Sequence, residues 1–168
     1  RNNILKRTKD HLEPIFNAQT DAFEKLIKNN KLLDKGVRFN FIGDTKLLPA
    51  KYLSIINKLA EKTKNSSGKI CNFLVSYDGA VELIESFRKI REGNLDIDDI
   101  TLYNNLQLRT PIDLIVRTGG DRRLSSCPLL QTSYSELYFA DFYYPEFTFE
   151  KLSEILADYN SRERRFGK

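Results

Sequence analysis

Between residues 10 and 30, Leu12, Ile15, Phe16, Phe23, Leu26 and Ile27 recur at three- and four-residue steps, the spacing of one buried stripe on an α-helix. Pro14 is expected to bend or delay its first turn. The period then changes. Val37, Phe39 and Phe41 alternate with Arg38 and Asn40, which predicts a strand ended by Gly43-Asp44. Helical spacing returns over 49–63, with Tyr52, Ile55, Ile56 and Leu59 on one face and Pro49 suited to the first turn. Asn65-Ser66-Ser67-Gly68 reads as a loop and 70–77 as a strand leading into Asp78-Gly79. The helix after it carries Leu83, Ile84, Phe87 and Ile90. Residues 94–108 are polar, with room for a short helix. Strands are predicted over 112–116 and 136–140, and Phe149, Leu152, Ile155, Leu156 and Tyr159 define a final amphipathic helix.

Alternation of strand and helix predicts a single α/β domain over 1–168, a mainly parallel sheet with helices on both faces. In open sheets of this kind ligands bind outside the carboxyl ends of the strands. Gly43-Asp44, Asp78-Gly79 and the stretch RTGGDRRLSS at 117–126 fall at such ends, so the chemistry is expected on one rim.

Composition narrows this picture. A chain of 168 residues, 40% hydrophobic and 30% charged, suits one ordinary globular domain. Cys71 and Cys127 are its two cysteines and form no C-x-x-C spacing, which suggests neither a disulfide framework nor a zinc site and fits a reducing cytosol. No apolar run approaches the ~20 residues that span a bilayer, and no charged-then-apolar leader opens the chain. A soluble cytoplasmic protein is expected, with peripheral contact at a membrane surface left open. The formal charge of +4 favours an anionic partner: nucleic acid, acidic lipid or a phosphorylated small molecule. The chain opens on Arg1 and contains no methionine, so it is expected to be a fragment.

The candidate chemistry is concentrated in RTGGDRRLSS. Gly119 and Gly120 have the backbone freedom to turn their N–H groups toward one anion as a nest. Arg117 and Arg123 add forked donors that match phosphate oxygens, and Ser125 a hydroxyl. The stretch matches neither the nucleotide P-loop nor the dinucleotide G-x-G-x-x-G pattern. A tight surface turn with solvated arginines is the alternative. Glu136 is the only charge between Arg123 and Asp141, and suits either Mg²⁺ or an ion pair with a nearby arginine. His11, the only histidine, stands at a predicted helix start with no Ser/His/Asp or Cys/His set around it. RERRFGK at 162–168 carries four basic residues less one acidic, a local +3. It reads as a solvated tail or a nucleic-acid patch. The aromatic residues fall mostly on predicted core faces, which argues against base stacking.

DLIVRTGGDRRLSS, then LLQTSYSELYFADFYYPEF, then SRERRFG resemble the C-terminal signature of the cis-prenyltransferases, the undecaprenyl diphosphate synthase family. The blocks run in the family's order across residues 113–167. Weaker agreement extends upstream through YDGAVEL, VRFNFIGD and NNILKR. The resemblance implies a Mg²⁺-dependent enzyme that condenses isopentenyl diphosphate with an allylic diphosphate, forming a cis double bond at each addition. It implies that Arg117, Arg123, Leu124 and Ser125 hold isopentenyl diphosphate and that Glu136 binds Mg²⁺. Arg7 matches the arginine of the family's Glu-Asn-Trp-x-Arg-Pro segment; Asn3 matches its asparagine if one residue is inserted before Arg7. Arg165 and Gly167 match an Arg-x-Gly ending that reaches a partner subunit's active site, implying a homodimer, or a heterodimer with a family member, and no nucleic acid.

The chain also departs from the family. Its first strand, first helix and aspartate-bearing diphosphate loop are missing, so residues 1–168 by themselves are expected to be inactive. Ile4 and Leu130 stand where tryptophan is frequent, and Ala80 replaces the arginine of a Tyr-Gly-Gly-Arg segment. The alternative function is a non-catalytic accessory subunit of a heteromeric cis-prenyltransferase.

Overall fold

The two helical stripes turn inward as their spacing dictates. Phe16, Thr20 and Phe23 are the buried residues of the first long helix, and Tyr52, Ile56, Leu59 and Thr63 those of the next. The computed structural model describes residues 1–29 and 31–165, and the side chains of all of these but Asn2, Asn3, Lys31 and Leu32. In chain order the elements are α1 (Asn2–Lys6), α2 (Lys9–Lys28), α3 (Lys31–Asp34), β1 (Arg38–Ile42), α4 (Ala50–Thr63), β2 (Ile70–Leu74), α5 (Gly79–Glu92), α6 (Asp99–Asn105), β3 (Leu114–Arg117), β4 (Glu136–Phe139) and α7 (Phe149–Ser161). Backbone contacts group them into two compact units, Arg1–Glu82 and Leu83–Lys168, with the boundary inside α5. The fold is α/β with parallel strand pairs.

In the first unit β1 and β2 pair in parallel, Arg38 opposite Ile70 through Ile42 opposite Leu74. The alternation of β1 puts Phe39 and Phe41 on one face with Phe73 of β2; Phe41 and Phe73 stack with ring centres 5.3 Å apart. Phe23 of α2 meets both rings edge-on, at 5.4 and 5.1 Å. Leu48, Tyr52, Ile56 and Leu59 complete this core. On the other face the Asn40 amide donates to Asn72 Oδ1 at 2.9 Å. Pro14 neither delays nor ends α2, which begins at Lys9 and runs through it.

β2 stops at Leu74, short of the expected 77, because Ser76 takes a φ of 52°, a left-handed conformation that no strand continues. Gly43, with φ of 132°, leaves β1 beside it, and a Cβ there would overlap the Val75 carbonyl. Thr63 ties helix to strand. Its hydroxyl accepts from the Phe39 N–H at 3.1 Å and donates to the Leu59 carbonyl at 2.9 Å, all buried.

In the second unit β3 and β4 pair in parallel, Leu114 opposite Glu136 through Arg117 opposite Phe139. β3 starts later than the predicted 112 because the Ile112 N–H is spent on the Gln131 carbonyl at 2.8 Å. The polar 94–108 stretch does contain a helix, α6, started by Asp98, whose carboxylate accepts from the Thr101 N–H at 2.7 Å. That backbone bond holds the Asp98 carboxyl below its ordinary range. Two stripes bury less than their spacing suggests. α5 buries Ile90 but leaves Ile84 and Phe87 exposed, and α7 buries Ile155 but leaves Phe149 and Leu156 exposed.

Thr63→Val removes an acceptor from a buried N–H while keeping the side chain's shape. It is expected to lower stability by about 1–3 kcal/mol, read from urea denaturation midpoints, whereas Thr63→Ser keeps most of it.

Candidate active site

The turn after β3 is built by glycine conformation and charge. Gly119 and Gly120 have φ of 90° and 73°, the left-handed region that glycine enters without a Cβ penalty. Their N–H groups, however, donate to the carbonyls of Phe142 at 2.8 Å and Ala140 at 3.1 Å. The glycine pair therefore clasps the turn onto the segment after β4, and the expected anion nest is not formed, since both donors are already used.

The arginines do converge. Arg117 Nη2 donates to Asp121 Oδ2 at 3.0 Å, and Arg123 grips the same carboxylate with both terminal nitrogens, at 2.8 and 2.6 Å. Ser125, with φ of 44°, lies on the other side of Arg117, its Oγ 3.5 Å from Nη1. Leu124 is half-buried between them in sequence. Arg117, Arg123 and Ser125 thus gather at the carboxyl end of β3, organised by Asp121. In this turn the Arg117 side chain is 25% and the Arg123 side chain 64% exposed, each paired with Asp121.

Glu136 stands elsewhere. It opens β4 opposite Leu114, whereas Arg117 closes β3 opposite Phe139. Three strand steps, roughly 10 Å, separate those levels. Glu136 thus lies away from the carboxyl end that carries the arginines. At this amino end Arg162 Nη1 donates to Glu136 Oε2 at 2.9 Å, and its Nη2 donates to Asp158 at 2.6 Å. The hydrogen bonds from Arg162, to Glu136 first and then Asp158, push its pKa still higher. Arg164 donates to Asp113 at 2.8 Å and to the Tyr159 hydroxyl at 2.7 Å. Arg165 pairs with Glu163 at 3.0 Å, both well exposed. The three arginines among the described residues of RERRFGK are therefore each paired with a carboxylate. Gly167 lies outside the described residues.

In the first unit Arg7 is exposed between α1 and α2, and Asn3 lies in α1 with its side chain outside the described set. His11 is exposed on α2, its ring 3.3 Å from Thr8 Oγ1. Asp44 accepts from the Lys46 N–H at 3.2 Å and faces the Arg1 guanidinium at 3.7 Å. Beyond β2, the Tyr77 hydroxyl donates to the buried Glu82 at 2.6 Å. Ser76 beside it is buried, carries the left-handed φ and has no hydrogen-bond partner for its hydroxyl among the described residues. Strained, unsatisfied residues of this kind cluster at functional sites.

Residues 1–167 match the family model described as "Putative undecaprenyl diphosphate synthase". The chain belongs to this prenyltransferase family. Its relatives include a tritrans,polycis-undecaprenyl-diphosphate synthase (geranylgeranyl-diphosphate specific) of Pyrobaculum aerophilum, 34% identical over 98% of this chain and 72% of that protein. An isoprenyl transferase of Campylobacter jejuni is 35% identical over 97% of this chain and 72% of its own length. The crystal structure of a probable undecaprenyl diphosphate synthase from C. jejuni superposes with a TM-score of 0.90 at 32% identity, over 99% of this chain and 79% of that one. Lavandulyl diphosphate synthase from Lavandula x intermedia, solved in complex with dimethylallyl diphosphate, gives 0.89 at 27% identity, over 98% and 74%.

A family transferase that handles diphosphates makes the metal question concrete. Among the described residues no three His, Cys, Asp or Glu side chains gather into a metal site. Glu136 nonetheless offers Oε1, which has no protein partner among them, and one carboxylate oxygen suits a magnesium ion that draws its other ligands from phosphate and water. Sequence reasoning missed Asp121, Arg162 and Ser76. The first had a visible signal, a carboxylate between Arg117 and Arg122-Arg123 in one loop.

Arg162→Ala frees Glu136 and Asp158 together. Because these side chains are about 29%, 28% and 43% exposed for Arg162, Glu136 and Asp158, solvent screening limits the cost to about 1 kcal/mol. That loss should appear in urea unfolding at low salt and shrink at 1 M salt.

Proposed function

We propose that the protein is a Mg²⁺-dependent cis-prenyltransferase that condenses isopentenyl diphosphate with an allylic prenyl diphosphate, yielding a cis-polyprenyl diphosphate. The observation that carries this reading is the convergence of Arg117, Arg123 and Ser125 at the carboxyl end of β3 in a chain that matches the prenyltransferase family along its length. In the reaction the allylic carbon–oxygen bond breaks, a carbon–carbon bond to the isopentenyl unit forms, and a proton is lost. The allylic diphosphate departs as inorganic pyrophosphate, and the isopentenyl diphosphate group stays on the product. Charge therefore separates in the transition state, and the catalyst chiefly needs fixed cations and orientation.

Arg117 and Arg123 supply those cations for the isopentenyl diphosphate, with Leu124 and Ser125 completing the cradle. One guanidinium about 4 Å from a phosphate charge gains roughly 4 kcal/mol at an effective dielectric near 20, before desolvation and screening. Arg7 is a further substrate contact, and Asn3 a catalytic one. Glu136 would hold Mg²⁺, which when bound offsets diphosphate charge. Arg165 and Gly167 serve a partner subunit's site, so the working species is a homodimer or a heterodimer with a family member. Among the described residues no helix is long and apolar enough to cross a membrane; the proposed setting is the cytoplasm, with peripheral contact at a membrane surface.

In the full-length protein, Arg117→Ala is expected to lower turnover about 10²–10³-fold, the size typical of losing one charge-stabilising donor. Near-normal isopentenyl transfer in that variant would sink the assignment. Turnover by the homogeneous protein supports an enzyme; turnover that appears only after a second family member is added supports the accessory subunit. Glu136→Gln should lower activity in a way that excess Mg²⁺ partly restores, and an unchanged magnesium dependence makes Glu136 a structural residue.

A further inference from the structure

Asp121 is the centre of the arginine cradle, and nothing in the chemistry of prenyl transfer requires a negative charge there. Its Oδ2 accepts from both Arg117, at 3.0 Å, and Arg123, at 2.6 Å, while Oδ1 takes the second arm of Arg123 at 2.8 Å. Two guanidiniums less one carboxylate leave a net charge of +1. Both terminal nitrogens of Arg123 are engaged, so Arg123 can present that fork to a phosphate only by leaving Asp121. It has the freedom to do so, since its side chain is 64% exposed against 25% for Arg117.

We propose that Asp121 is an internal competitor for the diphosphate: incoming isopentenyl diphosphate displaces it from Arg123, and its return to Arg123 helps expel the elongated product. This rests on the diphosphate-site reading above. The physical reason lies in the reaction's balance. The isopentenyl diphosphate group is not cleaved but remains on the product, so the same cradle must let go of it after each addition before the next unit can enter. Charge-assisted pairs of arginine with carboxylate and with phosphate are alike in kind and strength. A carboxylate already on the arginines makes binding an exchange, which weakens the grip without removing the cations that the transition state uses. Release is a step that commonly limits turnover.

The test uses the full-length protein with Asp121→Asn, which keeps the shape and removes the charge, Asp121→Glu, which keeps the charge, and Arg117→Ala. Isopentenyl diphosphate affinity is measured by calorimetry, and the first-addition rate in a single turnover is compared with steady-state kcat. Asp121→Asn is expected to bind isopentenyl diphosphate roughly three- to fivefold more tightly, a size set by one solvent-screened charge. Its kcat should fall severalfold while the single-turnover rate stays within about twofold, and Asp121→Glu should restore the wild-type balance. Unchanged or weaker binding in Asp121→Asn overturns the inference, as does a single-turnover rate that falls in step with kcat. Arg117→Ala separates the two levels. If it leaves isopentenyl diphosphate affinity unchanged, the diphosphate-site reading fails. If it weakens binding while Asp121→Asn does not tighten it, that reading stands and only the competitor role of Asp121 is lost.

Discussion

The parallel register of β3 on β4 decides where each functional charge of the second unit stands. In a parallel pair the chain leaves one strand at its carboxyl end and must return to the amino end before the next begins. Arg117 closes β3 and Glu136 opens β4, so the intervening connection carries them to opposite ends. The strand-end rule set the expected rim at the carboxyl ends. The direction of pairing imposes two, the arginine cradle at one end and the Glu136–Arg162 pair at the other.

At both ends the positive charge is organised by carboxylates. Asp121 fixes two arginines in the loop, Glu136 and Asp158 share Arg162, and Asp113 takes Arg164. Each of these guanidiniums is paired at reduced local net charge. The first unit contributes different features: a strained, buried Ser76 at the end of β2, and a glycine at 43 that only a residue without Cβ can fill.

Much of the fold was legible from periodicity. The inward stripe of α4 lies at predicted residues and that of α2 keeps Phe16 and Phe23 but leaves Ile15 exposed, while β1 buries Phe39 and begins one residue after Val37. Errors fall where periodicity has no say. The 70–77 strand is cut short by the backbone turn at Ser76, and the 112–116 strand loses its start to the Gln131 carbonyl. Ile84, Phe87, Phe149 and Leu156 obey helical spacing yet stay exposed, because spacing identifies a face but not what covers it.

The site divides in the same way. Residue types, their spacing and their order along the chain were enough to determine the family and to pick out Arg117, Arg123 and Ser125, since these are properties of a string. Three things were decided only in three dimensions. The glycine N–H groups went to backbone carbonyls rather than to an anion, Asp121 became the hub of the arginines, and Glu136 was sent to the far end of the strand pair. Each depends on which groups meet after the chain has crossed over, and hydrogen bonds and ion pairs are satisfied by nearness in space, on which residue order is silent.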